Sequence, residues 1–159
     1  MELGDPQQHA VYRAEADALP GGGRRFHRFD ELERFVRRAL AEPWWEERFP
    51  SAPVEVDVLR RSASATFSAA HVTPDGLTAV VWICDGSWDA VTVVHELAHV
   101  AVGRGHGLEP HGPEFADALL ELWRRHLGLH AYGALRSAFL AQGVRYQRAR
   151  RPGTDPAGR

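Results

Sequence analysis

Val94-His95-Glu96-Leu97-Ala98-His99-Val100, followed twelve residues after His99 by His111-Gly112-Pro113-Glu114-Phe115, is the stretch on which the reading of this chain turns. Side chains four positions apart on an α-helix fall about 40° apart around its axis, on successive turns, so the His95 and His99 rings can reach one ion. Glu96 lies beside the pair, where a carboxylate polarises a metal-activated water instead of binding the metal. From Ala90 to Val102 the polar side chains are Thr92, His95, Glu96 and His99, spaced as one helical stripe among Ala, Val and Leu. Such a helix is expected to be buried nearly all round, with its polar face reserved for a cleft. A core helix with merely hydrogen-bonded histidines fits less well, because three ionisable groups then share one face with no partner in view.

The surroundings are those of a globular protein of 159 residues, 44% apolar and 25% charged, with length for one core. A formal net charge of −2 gives no reason to expect nucleic acid or an anionic membrane as partner. All nineteen cationic side chains are Arg, so Schiff-base chemistry on a lysine is excluded. The lone Cys84 excludes an internal disulfide and a four-cysteine zinc ribbon, and is expected as a small core residue. Residues 1–19 carry no apolar signal segment, and Leu77–Cys84 is too short to span a bilayer. A cytoplasmic location is the default expectation.

Along the chain, Asp5-Pro6 is expected to cap a first helix running toward Leu19, ended by Pro20-Gly21-Gly22-Gly23. Asp30 is expected to cap a second over Glu31–Ala41, which Pro43 breaks, with Trp44-Trp45 as packing aromatics. Val54, Val56 and Val58 alternate with Glu55 and Asp57 as a half-buried strand. A second strand is expected over residues 63–72, the turn Thr73-Pro74-Asp75-Gly76 follows, and Leu77–Cys84 reads as a more apolar third strand. His71, near the turn, is expected at the surface. Ser87 or Asp89 can cap the metal helix, Gly103 ends it, and Gly105, Gly107 and Pro110 turn the chain back. Pro113 opens a helix closed by Arg124, Arg125 and His126, and a last helix spans Ala131–Gln142. The expected fold is therefore α+β. A small sheet of about three strands, mainly antiparallel, packs on a metal-binding helix with further N- and C-terminal helices. Residues 1–146 form one domain, and 147–159 a basic, solvated tail that is a weak candidate for nucleic acid.

A small sheet followed by His95-Glu96-x-x-His99 resembles the zincin superfamily, and His111-Gly112-Pro113-Glu114-Phe115 resembles the His-Gly-x-x-Phe segment of SprT-like metalloproteases. More closely, the chain resembles a family of small actinobacterial proteins classed as metallohydrolases. The shared segments are Tyr12 to Glu15, Leu40 to Trp44, the His-Glu-Leu-Ala-His motif, His111 to Phe115 and Ala138 to Val144, spread over most of residues 7–146. The resemblance implies a zinc hydrolase of zincin-like fold and names no substrate. It does not extend to the Cys-rich ribbon or DNA-binding extensions of many SprT-like proteins. The metzincin pattern fails, since Val102 and Gly105 stand where Gly and His are required.

Three residues compete for third ligand: His111, His106 and Glu114. His111 is preferred, because it matches the SprT-like segment and Gly112-Pro113 fixes the chain there just before a helix. With Zn2+ on His95, His99 and His111, a water is activated, Glu96 takes its proton, and the hydroxide attacks an amide or peptide carbonyl. A peptide or protein is the expected partner. In zincins the strand next to the metal helix commonly pairs with an extended peptide, and Leu77–Cys84 is the candidate here. His106 and Tyr132 are candidate oxyanion donors. The competing reading is a non-catalytic, zinc-stabilised binding module derived from such an enzyme, with His106 as a possible fourth ligand. A general base at Glu96 is superfluous in a module of that kind.

Overall fold

The computed structural model describes residues 4–62, 64–65, 67–103 and 109–147. Six helices and three strands follow in the order α1 (Gln8–Ala18), α2 (Phe29–Ala41), α3 (Pro43–Arg48), β1 (Glu55–Arg61), β2 (Ala69–Val72), β3 (Thr78–Cys84), α4 (Ala90–Val102), α5 (Pro113–His126) and α6 (Leu129–Gln142). The α+β class is as expected. The sheet is mixed, not mainly antiparallel. Its order is β1-β3-β2, with β1 parallel to β3 (Val58 opposite Val81) and β2 antiparallel to it (Ala70 opposite Val81).

The composition of β3 accounts for this order. Ala79, Val81, Ile83 and Cys84 are buried, so the strand lies among side chains that cannot satisfy its amides, and a neighbour on each edge supplies the bonds. The chain leaves β1 through a turn closed by Ala65 N–H on the Ser62 carbonyl, and Ser68 Oγ accepts from Cys84 N–H. It therefore re-enters on the far side of β3. The second strand is shortened to Ala69–Val72, because the preceding residues are spent on that return. As the central strand, β3 has no edge for a peptide, which corrects the expectation for Leu77–Cys84; β2, which packs on α4, has one among the described residues. His71 is exposed and Cys84 is a buried free thiol, as expected.

Three helix starts differ from expectation, the last helix opening at Leu129, two residues before Ala131. Asp5 caps nothing: α1 opens at Gln8 without a side-chain cap, and the Asp5 carboxylate is engaged elsewhere. The second helix begins at Phe29, one residue before its expected cap, and Asp30 sits in the first turn, paired with Arg28 and Arg34. Pro43 ends α2 and also opens α3, the first-turn position where a missing N–H costs nothing. Trp45 enters the core, while Trp44 packs edge-on against Phe49 and His126, so both are packing aromatics.

The central element is α4. Asp89 caps it, accepting from the Thr92 amide at 2.9 Å and the Thr92 hydroxyl at 3.1 Å. Val93, Val94, Leu97, Ala98 and Val100 are fully buried in one core shared with Leu119, Leu122 and Trp123 of α5 and Val81 and Ile83 of β3. Each such aliphatic side chain contributes about 1.5–3 kcal/mol by leaving water. At the far end Gly103 takes φ +66°, and a Cβ there would lie 2.9 Å from the Ser51 carbonyl oxygen. Gly103→Ala should therefore destabilise the protein by about 1–3 kcal/mol, read as a lower urea midpoint with an unchanged m-value.

Candidate metal centre

Burying α4 forces a problem on its polar stripe, and α1 answers it. His95 and Glu96 are 3% and 4% exposed, so both are almost wholly withdrawn from bulk water. Glu15, on the buried stripe Val11-Ala14-Glu15 of α1, places Oε1 2.7 Å from His95 Nδ1. A carboxylate accepts and does not donate, so Nδ1 carries the proton and the Nε2 lone pair points away from α1. His111 is held in the same way, its ring Nδ1–H donating to Asp5 Oδ2 at 2.6 Å and its backbone N–H to Asp5 Oδ1 at 3.2 Å. One carboxylate thus sets both the ring and the backbone of His111.

The two Nε2 atoms face each other at 3.1 Å, and ligating nitrogens of His95, His99 and His111 all lie within 4.8 Å of one another. Two unprotonated nitrogens at that distance repel. A proton or a cation between them relieves it. Tetrahedral coordination with metal–nitrogen bonds of about 2.0–2.1 Å spaces its donors roughly 3.3–3.4 Å apart, close to the 3.1 Å between His95 and His111. Glu15 Oε2 adds a second indication, since it is buried without a hydrogen-bond partner among the described residues and its charge offsets that of a cation. The residues fit a metal ion.

The electrostatics agree. Burial, with the neighbouring His95 and His111, pushes His99 down to about 2, so its ring stays neutral and its lone pair free. His111 is also lowered, chiefly by burial, against the opposing Asp5 hydrogen bond. For His95 burial disfavours the charge, but the Glu15 carboxylate outweighs it and holds the pKa above its ordinary value. A metal would take the place of that proton. Glu96 is raised to about 7 by burial, with His95 opposing and Glu15 adding.

Two aromatic rings complete the centre. Phe115, fully packed at the start of α5, lies 5.0, 4.3 and 4.8 Å between centroids from His95, His99 and His111. Tyr12 stacks on His95 at 4.8 Å and 13° and lies 5.5 Å from His111. A cavity of about 800 Å³ opens on this centre from the side of His95 and Glu96, walled by α1, the first turn of α4 and Phe67-Ser68 before β2.

The three predicted ligands His95, His99 and His111 come together with Glu96 alongside. Glu114, the alternative ligand, sits in the first turn of α5 outside the cluster. His106 lies outside the described residues. Tyr132 is no part of the site, correcting its candidacy as oxyanion donor. It packs between the guanidiniums of Arg124 and Arg136, each 5.7 Å from its ring, and Arg124 is nine residues along α5 from Phe115, about 14 Å of helix. Sequence reading gives Asp5 only a capping role and Tyr12 to Glu15 only a place in a shared segment, and assigns none of Asp5, Tyr12 and Glu15 to the site. The available signal was Glu15 itself, a carboxylate on the buried stripe of its helix with no neighbouring cation to pair it.

Gln7 ties these parts together. Its side-chain amide donates to the carbonyls of His111 (2.9 Å) and Arg145 (3.2 Å), and its oxygen accepts from Arg145 N–H at 2.7 Å. Comparison with protein-family models, curated proteins and solved structures finds no match to this chain.

Asp5→Asn and Glu15→Gln should each weaken divalent-metal affinity by about 10–100-fold while keeping one ion per chain. His111→Ala should abolish stoichiometric binding. Competition against a chromophoric chelator measures all three.

Proposed function

We propose that this chain is a zinc-dependent hydrolase, a metallopeptidase acting on amide or peptide bonds. The observation that carries the reading is Glu96. A carboxylate 4% exposed, on the cavity wall beside three metal-competent imidazoles, has no hydrogen bond or ion pair among the described residues. A carboxylate facing the cavity with its oxygens unspent on protein partners is suited to accept a proton there. In the metal-free protein burial raises its pKa to about 7, the direction that makes a carboxylate a better proton acceptor near neutrality. Three imidazoles without a thiolate suit zinc in a site that retains a position for water. The resemblance of His95-Glu96-x-x-His99 and His111 to Phe115 to zincin and SprT-like segments points the same way.

Zinc held by His95, His99 and His111 supplies a Lewis acid that acidifies water to a pKa of about 7 and polarises an acyl oxygen. Glu96 accepts the proton of the attacking water and returns it to the departing amine nitrogen. Glu15 and Asp5 hold the imidazoles in the tautomers that ligation needs. Phe115 and the core beneath it exclude water from the other side of the rings. An extended peptide fits along the outer edge of β2, since Phe67 and Ser68 lead from the cavity into that strand. A wet, partly apolar cleft of this size takes a few residues of chain, which favours peptide over a large folded partner.

Zinc-loaded wild type should cleave members of a peptide library, and Glu96→Gln should bind zinc equally while losing about 10²–10⁴-fold in turnover. Zinc bound by both with no cleavage by either would instead identify a zinc-stabilised binding module.

A further inference from the structure

Resting on the hydrolase reading above, one group at the centre has no role yet. Tyr12 precedes Glu15 by three residues on α1, so the ring that stacks on His95 and the carboxylate that orients it come from one helical face. Stacking alone does not need a phenol, because phenylalanine would cover the imidazole as well. Tyr12 lines the cavity wall beside Gln8. A phenol carries one hydrogen to donate besides the lone pairs on its oxygen, so it can serve an acyl oxygen in the cavity. Tyr12 is 45% exposed and lines the cavity, so it is accessible to what enters there.

Among the other donors lining the cavity, Thr92 donates to Asp89 and Arg25 to the Gly86 carbonyl, while Ser68 and Ser87 lie in the segments before β2 and α4. Tyr12 packs its ring on two of the three imidazoles. A metal polarises the acyl oxygen from one side, and a neutral donor placed beside the metal adds to the stabilisation of the charge that develops there.

We propose that Tyr12 is this donor. As the water oxygen bonds to the acyl carbon, the carbonyl π pair moves onto the acyl oxygen, and the water proton passes to Glu96. The Tyr12 O–H hydrogen-bonds that oxygen without giving up its proton. When the pair returns, the carbon–nitrogen bond breaks and the amine leaves with the proton from Glu96. Charge and protons balance with no further reactant.

The test uses the full chain, zinc-loaded and Co2+-substituted, with Tyr12→Phe measured on the library peptide that wild type cleaves fastest. Zinc stoichiometry, metal affinity and the Co2+ absorption spectrum should match wild type. KM should be little changed, and kcat should fall about 10²–10³-fold, the usual effect of removing one such donor. Wild-type kcat in Tyr12→Phe would overturn the assignment and reduce Tyr12 to a ring cover. An altered Co2+ spectrum would overturn it in favour of a phenol that binds the metal. If wild type cleaves no peptide, the hydrolase reading fails and this assignment with it. Cleavage by wild type with an indifferent Tyr12→Phe removes this assignment alone.

Discussion

A buried imidazole can offer a lone pair in one chosen direction only when its other nitrogen is held, and the centre of this protein is built around that constraint. His95 and His111 project from different elements, yet each is fixed by a carboxylate from the N-terminal segment, Glu15 at 2.7 Å and Asp5 at 2.6 Å. Without those partners the rings lose what fixes their tautomers, and the His111 backbone loses its Asp5 acceptor as well. The rings would then be free to turn a proton toward the centre instead of a lone pair.

The same constraint explains the arrangement of the outer helices. For Glu15 to reach His95, α1 must lie against the metal helix side of the core, and it is held there by packing along α6. Gln7 completes the clamp, joining the start of α1 to the His111 turn and to the chain leaving α6. Residues separated by 104 and 138 positions are thereby locked to one another. Both ends of the domain thus serve the site, although its motif lies in the middle.

Much of this was legible in advance. The period of α4, its cap at Asp89, the stop at Gly103 and the opening of α5 at Pro113 all depend on interactions within a turn or two, which local sequence records. Glu96 and the three histidines were legible for a related reason, since one helix and one short return carry them. The parallel pairing of β1 with β3 was not. Strand alternation tells which face of a strand is buried, but not which neighbour it takes, and two adjacent strands joined by a short turn equally suggest a hairpin. Asp5 was misread because a carboxylate before a helix is a good local cap, and a buried His111 more than a hundred residues away outbid that local use.

The sequence by itself determined the α+β class, the buried helix with one polar stripe, and the His95–His99 pair, and it narrowed the third ligand to His111, His106 or Glu114. Periodicity, caps and spacing are short-range properties, and these features need nothing more. Tertiary structure alone decided which carboxylates orient the imidazoles, that Tyr12 and not Tyr132 faces them, and that β2 and not β3 keeps a free edge. Those outcomes turn on contacts between distant segments, where the competing partners are chosen by packing and desolvation and leave no fixed spacing in the chain.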